Sequence, residues 1–265
     1  GLPVFLTAHR GKSAFGLYPF IGRDIPESYS YDCEKTTPYS YEVCLDEQEI
    51  DVRYAVSHRS AVYSFHYPEG CAFLALKVDD GCLTPSGNGI AGACRIGKGA
   101  SAHVMMTFFP VPASVDISED GRLAVLGFES EDVDVRYGVS FIDEEQAGRN
   151  LAAEVSGKSL EAVASEGRKI WNEALSKVEI DGGDDDDKSV FYTSLYRVYE
   201  RMVNISEYGR YWSAADGQVH EDGGRPYYTD DWFWDTYLAA HPLRTILDPK
   251  AESDMISSIV TYSSL

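Results

Sequence analysis

The pattern of apolar residues changes near residue 143, and this change limits the folds open to the chain. Before it, short alternating or apolar runs are separated by turn sequences such as Pro68-Glu69-Gly70 and Glu119-Asp120-Gly121. Runs of this length and spacing are typical of β-strands. The predicted strands are Tyr39–Leu45, Ile50–Val56, Ala61–Tyr67, Ala72–Val78, His103–Phe109, Leu123–Phe128 and Val133–Phe141. An antiparallel β-sandwich is therefore predicted over residues 1–142.

Helical spacing follows the strands. Residues 143–183 are predicted to form a helical linker, with helices over Glu144–Ala153 and Ser159–Leu175 and with Ser159 as the N-cap of the second. The run Gly182–Lys188 contains two glycines and four consecutive aspartates, which indicates an exposed, solvated linker. The fold class predicted from these patterns is mainly β, then α.

Residues 184–265 form a third region that is also mostly helical. Helices are predicted over Ser189–Met202, Trp232–Ala240 and Asp254–Tyr262, with His241-Pro242 ending the second of them. A loop rich in glycine and aromatic residues is predicted over Glu207–Tyr228. The chain begins without Met and stops as its last helix finishes, so we expect it to be part of a longer protein.

Charge narrows the range of partners. Asp and Glu number 43 against 23 Lys and Arg, which gives a formal net charge of −20. A field of this sign repels nucleic acid and anionic membrane surfaces but is indifferent to a neutral sugar. No apolar run reaches the ~18 residues of a membrane span, and no targeting signal is visible. The five cysteines are expected to be buried free thiols, with one or two disulfides as the alternative in an exported protein.

The segment 223–236 carries the densest group of chemically useful residues. It combines two glycines, aromatic rings and three carboxylates within fourteen residues. Aromatic faces pack against sugar rings, and carboxylates accept hydrogen bonds from vicinal hydroxyls, so this composition suits a carbohydrate. The alternative is structural, with Trp232, Phe233 and Trp234 in the core and Asp230 or Asp231 capping a helix.

Other catalytic motifs are missing from the sequence. The six histidines are scattered without metal-ligand spacing, so each is predicted to be structural or superficial. No GxSxG, GxxxxGK[ST] or strand-linked GxGxxG sequence occurs, which leaves serine-hydrolase and nucleotide-binding chemistry without support.

The order of several motifs resembles glycoside hydrolase family 92. The matching motifs are Gly209-Arg210-Tyr211, Asp216-Gly217-Gln218-Val219-His220, Tyr228-Thr229, Trp234-Asp235-Thr236-Tyr237, His241-Pro242-Leu243, Trp171-Asn172-Glu173-Ala174-Leu175-Ser176-Lys177 and Phe191-Tyr192-Thr193-Ser194-Leu195-Tyr196. The likeness extends from about Tyr29 to about Pro249. The chain departs from the family pattern at Trp232, Phe233 and Leu238.

This resemblance implies a β-sandwich followed by an (α/α)6 barrel, of which residues 184–265 would be the first, truncated part. Members of the family are calcium-dependent exo-α-mannosidases that invert the anomeric centre, a reaction that needs a carboxylic acid and a carboxylate base. The expected substrates are terminal α-mannosides, α-1,2-linked, of N-glycans or mannans. The catalytic acid and base and the Ca²⁺ ligands are expected outside this chain, so the chain alone is expected to be inactive.

The resemblance assigns two substrate-binding residues. Asp235 matches the family's aspartate that hydrogen-bonds the −1 mannose, and Trp234 stands beside it. No catalytic residue and no metal ligand is assigned in this chain. Secretion or a periplasmic or cell-surface location is what the family suggests, and the oligomeric state stays open.

Two further interpretations remain. One is another inverting (α/α)6 glycosidase of the trehalase or glucosidase type, since Trp-Asp-Thr on a barrel helix is not unique to one family. The other is a carbohydrate-binding module without catalysis.

Overall fold

The computed structural model describes residues 1–5, 13–68, 70, 72–97 and 99–265. The chain divides into two compact units, Gly1–Arg168 (unit 1) and Lys169–Leu265 (unit 2). The division falls within a helix, Leu160–Leu175. The domain boundaries expected from the sequence at residues 142 and 183 stay predictions.

Unit 1 consists mainly of β-strands. They are β1 Leu2–Pro3, β2 Phe15–Ile21, β3 Tyr31–Thr36, β4 Ser40–Leu45, β5 Ile50–Val56, β6 Ser60–His66, β7 Ala72–Val78, β8 Gly81–Ser86, β9 Gly89–Gly97, β10 Ala100–Phe109, β11 Ser114–Ile117, β12 Leu123–Phe128 and β13 Asp132–Ser140. In the described part of unit 1 these strands form two antiparallel sheets, in the orders β1-β2-β7-β12-β11 and β3-β4-β5-β6-β13-β10-β9-β8. The predicted fold class is confirmed, and β5, β7 and β12 have the predicted bounds.

The core of unit 1 lies between the two sheets. Leu74 and Leu76 of the five-stranded sheet belong to the same buried cluster as Val133 and Val135 of the eight-stranded sheet. Removal of this apolar surface from water is the main force that holds the sheets together. The buried hydroxyl of Tyr63 donates to the Pro3 carbonyl at 2.7 Å, so this polar group is not left unsatisfied.

Two helices, α1 Glu144–Glu154 and α2 Leu160–Leu175, follow the strands as predicted. Asp143 caps α1 by accepting from the Gln146 N–H at 2.6 Å. The Asn150 side chain donates to the Val139 carbonyl at 2.7 Å, which ties α1 to β13. At Gly138 any Cβ would lie 2.2 Å from the Ala147 carbonyl oxygen, so only glycine permits this approach of helix to strand.

Unit 2 contains the last turns of α2, four further helices and two short antiparallel strand pairs. Its elements are α3 Asp185–Val198, β14 Val203–Asn204, β15 Arg210–Trp212, β16 Val219–Glu221, β17 Tyr228–Thr229, α4 Phe233–Thr236, α5 Ala240–Leu247 and α6 Pro249–Ser264. Strand β14 pairs with β17, and β15 pairs with β16. The Trp171 ring of α2 packs on Tyr196 of α3, with 4.7 Å between ring centroids.

The acidic run at the start of α3 is helical, so its assignment to a linker is wrong from Asp185 onward. Asp184 and Asp187 form a capping box, in which the Asp187 N–H donates to Asp184 Oδ1 at 2.9 Å. Carboxylates are favourable in the first turn because free N–H groups and the helix dipole are positive there. Position at a helix start outweighs the repulsion between like charges.

Two further predictions need correction. Residues 207–228 contain the hairpin β15–β16 and are not one long loop. The helix predicted over Trp232–Ala240 is limited to Phe233–Thr236, and His241-Pro242 lies in the first turn of α5. A proline in the first turn loses no helical hydrogen bond, since its missing N–H would have had no partner there.

The cysteines differ from the prediction in burial. Cys94 is buried, whereas Cys33 and Cys82 are exposed, and Cys71 lies outside the described residues. Among the helices that the structure describes, none combines the length and apolar character needed to cross a membrane.

Candidate functional site

The motif-bearing segment 228–236 leaves a strand and enters a one-turn helix. Tyr228 and Thr229 pair with β14, and the chain then turns at Asp230, which has a φ of 63°. This left-handed conformation is uncommon for residues other than glycine, asparagine and aspartate. The turn separates β17 from α4, so that the motif residues leave the sheet.

Trp234 and Asp235 lie next to each other on the surface of unit 2. Trp234 is 92% exposed, and Asp235 is also exposed. Within the described residues no hydrogen bond or ion pair holds the Asp235 carboxylate, so both its oxygens are available to accept from a ligand. An exposed indole beside a free carboxylate is the pairing that a sugar ring and its hydroxyls require. Their assignment to substrate binding stays a prediction.

The structural alternative for the neighbouring aromatic residues is not supported. Trp232 is 48% exposed and Phe233 is 53% exposed, so neither belongs to a closed core. Asp231 does not cap α4, which has no side-chain cap. The carboxylate of Asp231 instead accepts from the Thr236 hydroxyl at 2.8 Å, which ties the turn to the end of α4.

Arg201 holds the turn from the other side. The buried guanidinium lies 3.8 Å from the centroid of the Trp232 ring and 3.4 Å from Asp230 Oδ1. A cation over an indole face is attracted by the ring quadrupole, by about 0.5–2 kcal/mol depending on desolvation. Arg201 therefore stabilises both the left-handed residue and the aromatic residue that follows it.

His241 lies between two carboxylates. Its Nε2 is 2.9 Å from Asp231 Oδ2, and its Nδ1 is 2.7 Å from Glu252 Oε1. The prediction that each histidine is structural or superficial missed this arrangement, in which a turn, α5 and α6 meet at one ring. The signal in the sequence was His241 beside Pro242 at the start of a mostly apolar segment.

Arg244 lies one turn after His241 and is buried. Its guanidinium donates to the Val198 carbonyl and lies 3.7 Å from the Met255 sulfur. Burial lowers the pKa of the Arg244 guanidinium, while the charges of Glu252 and Asp231 oppose that shift. The buried Arg244 guanidinium thus shares the interior of unit 2 with the carboxylates of Asp231 and Glu252.

A small cavity borders the motif. Its volume is about 150 Å³, and it is lined by residues that include Tyr228, Asp230, Asp231, Phe233 and Tyr262. This is below the ~300 Å³ of typical ligand pockets, so it would take part of a sugar at most. A larger cavity of about 450 Å³, around Phe109 and Pro110, belongs to unit 1 and contains none of the motif residues.

The hairpin β15–β16 supplies a second aromatic group. The Tyr211 and Tyr227 rings stack at 3.9 Å between centroids, and Tyr211 also stacks on His220 at 5.5 Å. His220 Nε2 lies 3.0 Å from Asp216 Oδ2. Burial acts to raise the pKa of the Asp216 carboxyl, but the hydrogen bonds from His220 and from the Gln218 N–H together outweigh it and lower that pKa overall. The sequence motifs at residues 209–211 and 216–220 are thus in contact within the hairpin.

The described residues do not provide a metal site. Nowhere in that part of the chain do three His, Cys, Asp or Glu side chains gather as metal ligands would. The calcium ligands that the resemblance implies are expected outside this chain, and nothing in the site's geometry depends on the ion.

Comparison with known proteins now places the chain. Residues 146–264 match the model of the glycosyl hydrolase family 92 catalytic domain. A family GH92 inverting mannosidase from Bacteroides thetaiotaomicron VPI-5482 has a similar structure, with a TM-score of 0.83 and 27% sequence identity over 93% of this chain. Over residues 146–264 the chain is therefore similar to the catalytic domain of glycosyl hydrolase family 92.

A second family GH92 structure has the same fold. The α-mannosidase, also from Bacteroides thetaiotaomicron, superposes with a TM-score of 0.86 at 19% identity over 95% of this chain. The chain covers 38% and 41% of the lengths of these two proteins, about two fifths of each. No curated protein matches the chain.

Proposed function

We propose that this chain is part of an inverting exo-α-mannosidase that hydrolyses terminal α-mannosides, with α-1,2-linked mannose of N-glycans or mannans as the expected substrate. The observation that carries the proposal is the family 92 catalytic-domain match over residues 146–264, which contains the exposed pair Trp234 and Asp235. A family GH92 α-mannosidase of this fold has been solved in complex with mannoimidazole, which supports a mannose-like ligand.

Within this chain the proposed role is recognition. The Asp235 carboxylate would accept hydrogen bonds from two hydroxyls of the terminal mannose, and charge-assisted bonds of this kind are roughly twice as strong as neutral ones. The Trp234 indole would cover the apolar face of the sugar ring. The acid that protonates the leaving oxygen and the base that activates water are proposed to lie in the remainder of the enzyme. Calcium dependence is proposed for the complete protein from the same resemblance.

The test uses the protein as its gene encodes it. Mannose release is measured from α-1,2-, α-1,3- and α-1,6-mannobiose and from gluco-configured disaccharides, with and without EDTA. The expected result is release from α-1,2-mannobiose that is lost with EDTA. Release of glucose alone would indicate an inverting glucosidase or trehalase. Binding of mannosides without any hydrolysis would indicate a carbohydrate-binding module.

Site variants link the activity to these residues. Asp235→Asn keeps the shape of the side chain and removes its charge, and we expect it to lower kcat/KM about 100-fold, because the hydrogen bonds from the sugar hydroxyls would no longer be charge-assisted. Asp186→Asn is the matched control, because Asp186 is an exposed helical aspartate outside the motif. Equal activity of the two variants would remove Asp235 from the site.

A further inference from the structure

We propose that His241 is a positioning residue of the proposed mannoside site, and that it acts by fixing the short helix that presents Trp234 and Asp235. The inference rests on the proposed function for its consequence in catalysis. Its structural half, the coupling of His241 to α4, stands on the geometry of unit 2 alone.

The first step is the linkage through the ring. His241 is 15% exposed, and the carboxylates at its two nitrogens, those of Asp231 and Glu252, are 3% and 6% exposed. The distances of 2.9 and 2.7 Å are those of charge-assisted hydrogen bonds. One imidazole therefore joins the turn before α4 to helix α6 through contacts that water does not reach freely.

The two carboxylates bear on the protonation state of the His241 ring. A neutral imidazole carries one N–H and one acceptor nitrogen, whereas an ionised carboxylate can only accept. Both ring nitrogens of His241 face carboxylate oxygens, and the doubly protonated ring is the form that can donate to both while the carboxylates are ionised. With Arg244 beside it, two cations then balance Asp231 and Glu252, which is the condition under which buried charges are tolerated.

The hydrogen bonds of His241 extend to α4, the helix that carries the candidate sugar-binding residues. Helix α4 has only four residues and no side-chain cap, so it cannot hold its own orientation. The buried Thr236 closes it, because its hydroxyl lies 2.8 Å from Asp231 Oδ1 and 3.1 Å from the Trp232 carbonyl. The other oxygen of Asp231 is the one that faces His241. The position of α4 thus depends on a chain of hydrogen bonds that ends at His241 and Glu252.

The protonation state is tested by NMR on the gene-encoded protein with ¹⁵N-labelled histidine, assigned with His241→Gln. Both ring nitrogens of His241 are expected at the shifts of protonated nitrogens at pH 7. In Glu252→Gln the side-chain amide can donate its N–H to Nδ1 and carries no charge, so the ring is expected to lose a proton. A single neutral tautomer in the unsubstituted protein would overturn the proposal.

The coupling to α4 is tested with a matched pair of threonines. Thr236→Val removes the hydroxyl that reaches Asp231, and Thr236→Ser restores it. Thr245 in α5 is the control, since its hydroxyl bonds the carbonyl of His241, four residues earlier, at 3.0 Å, as Thr236 bonds that of Trp232. For Thr236→Val we expect kcat/KM on the mannoside to fall about tenfold, recovery in Thr236→Ser, and a change below about twofold in Thr245→Val. The thermal midpoint should fall more in Thr236→Val than in Thr245→Val, because Thr236 is buried and its hydroxyl also reaches Asp231, whereas Thr245 is exposed.

A readout that needs no activity separates this inference from the proposed function. With 5-fluorotryptophan incorporated and the Trp234 resonance assigned by Trp234→Phe, the ¹⁹F shift of Trp234 is expected to move in Thr236→Val and in His241→Gln but not in Thr245→Val. An unmoved resonance would overturn the proposal whatever the protein hydrolyses. A moved resonance in a protein that releases no mannose would leave the coupling intact and overturn the mannosidase assignment.

Discussion

The two units of the chain use opposite kinds of interior. Unit 1 buries apolar strand residues between two sheets, and its buried polar groups are mostly uncharged, such as Gln146 and Asn150. Unit 2 buries few apolar side chains and instead encloses charged ones. Its buried charged residues are Arg201, Glu207, Arg244, Glu252 and Asp254. Unit 1 is thus held together mainly by apolar burial. In unit 2, hydrogen bonds between buried polar and charged groups fix the turn that precedes α4.

The largest expected change in the free energy of unfolding comes from removing a buried carboxylate of unit 2. Glu252→Leu removes the carboxylate at His241 Nδ1 and one of the two anionic charges near Arg244, and we expect a loss of about 3–5 kcal/mol in the free energy of unfolding. Hydrogen exchange of unit 2 amides measures it. Glu173→Leu, at an exposed position of α2, should change the same quantity by less than about 0.5 kcal/mol. Equal losses in the two variants would mean that the buried charges do not stabilise unit 2.

The apolar interior should show a smaller loss that does not depend on pH. Leu74→Ala opens a cavity at a fully buried position between the sheets, and we expect about 3 kcal/mol of destabilisation. Exchange of unit 1 amides at pH 5 and pH 8 should give the same difference, because no titratable group is removed. A loss that varied with pH would mean that titratable groups also contribute to the stability of the interior of unit 1.

The aspartates at the start of α3 could stabilise the helix through their number or through the position of the one that caps it. Two substitutions separate these effects. Asp184→Ala removes the carboxylate that accepts from the Asp187 N–H, and we expect a loss of about 1 kcal/mol. Asp186→Ala removes the same charge from the same run without breaking the capping box. Similar results for the two would favour a general charge effect over the cap.

The smallest effect concerns a histidine in the apolar unit. Burial lowers the pKa of His103 below the ordinary 6.5, although Glu144 and Asp143 oppose this. The unfolded chain then binds the proton more readily, so stability falls as pH drops from 6.5 through the folded-state pKa. His103→Gln should make the urea midpoint of unit 1 less sensitive to acid over that interval and leave it nearly unchanged above it. An unaltered acid response would show that His103 does not titrate in this way.

The sequence predicted the two units unequally well. The strands of unit 1 could be located because alternation and turn residues are local signals, and Ile50–Val56 was predicted to the residue. The start of α3 was missed because four like charges suggest a solvated linker until their position at a helix terminus is known. Local pattern is therefore sufficient where an element buries one apolar face.

The candidate site shows what local sequence patterns do not predict, which is contacts between residues far apart in the chain. Asp235 and Trp234 could be proposed from a family motif, since the motif is contiguous. The partners of His241 lie 10 and 11 residues away on either side, in a turn and in another helix. Which carboxylate meets which nitrogen is decided by the packing of α5 and α6, and no periodicity in the sequence encodes it.

The capping box at Asp184 and Asp187 also bears on cleavage of the chain. Four aspartates followed by Lys188 resemble the sequences that are engineered into fusion proteins as protease sites. Proteases act most readily on exposed, flexible segments, and here the first turns of α3 hold this stretch in a closed, hydrogen-bonded form. Scission at Lys188 would then follow the small population in which the helix start has opened. The same five residues in an unstructured tag are therefore expected to be cut faster than this native copy.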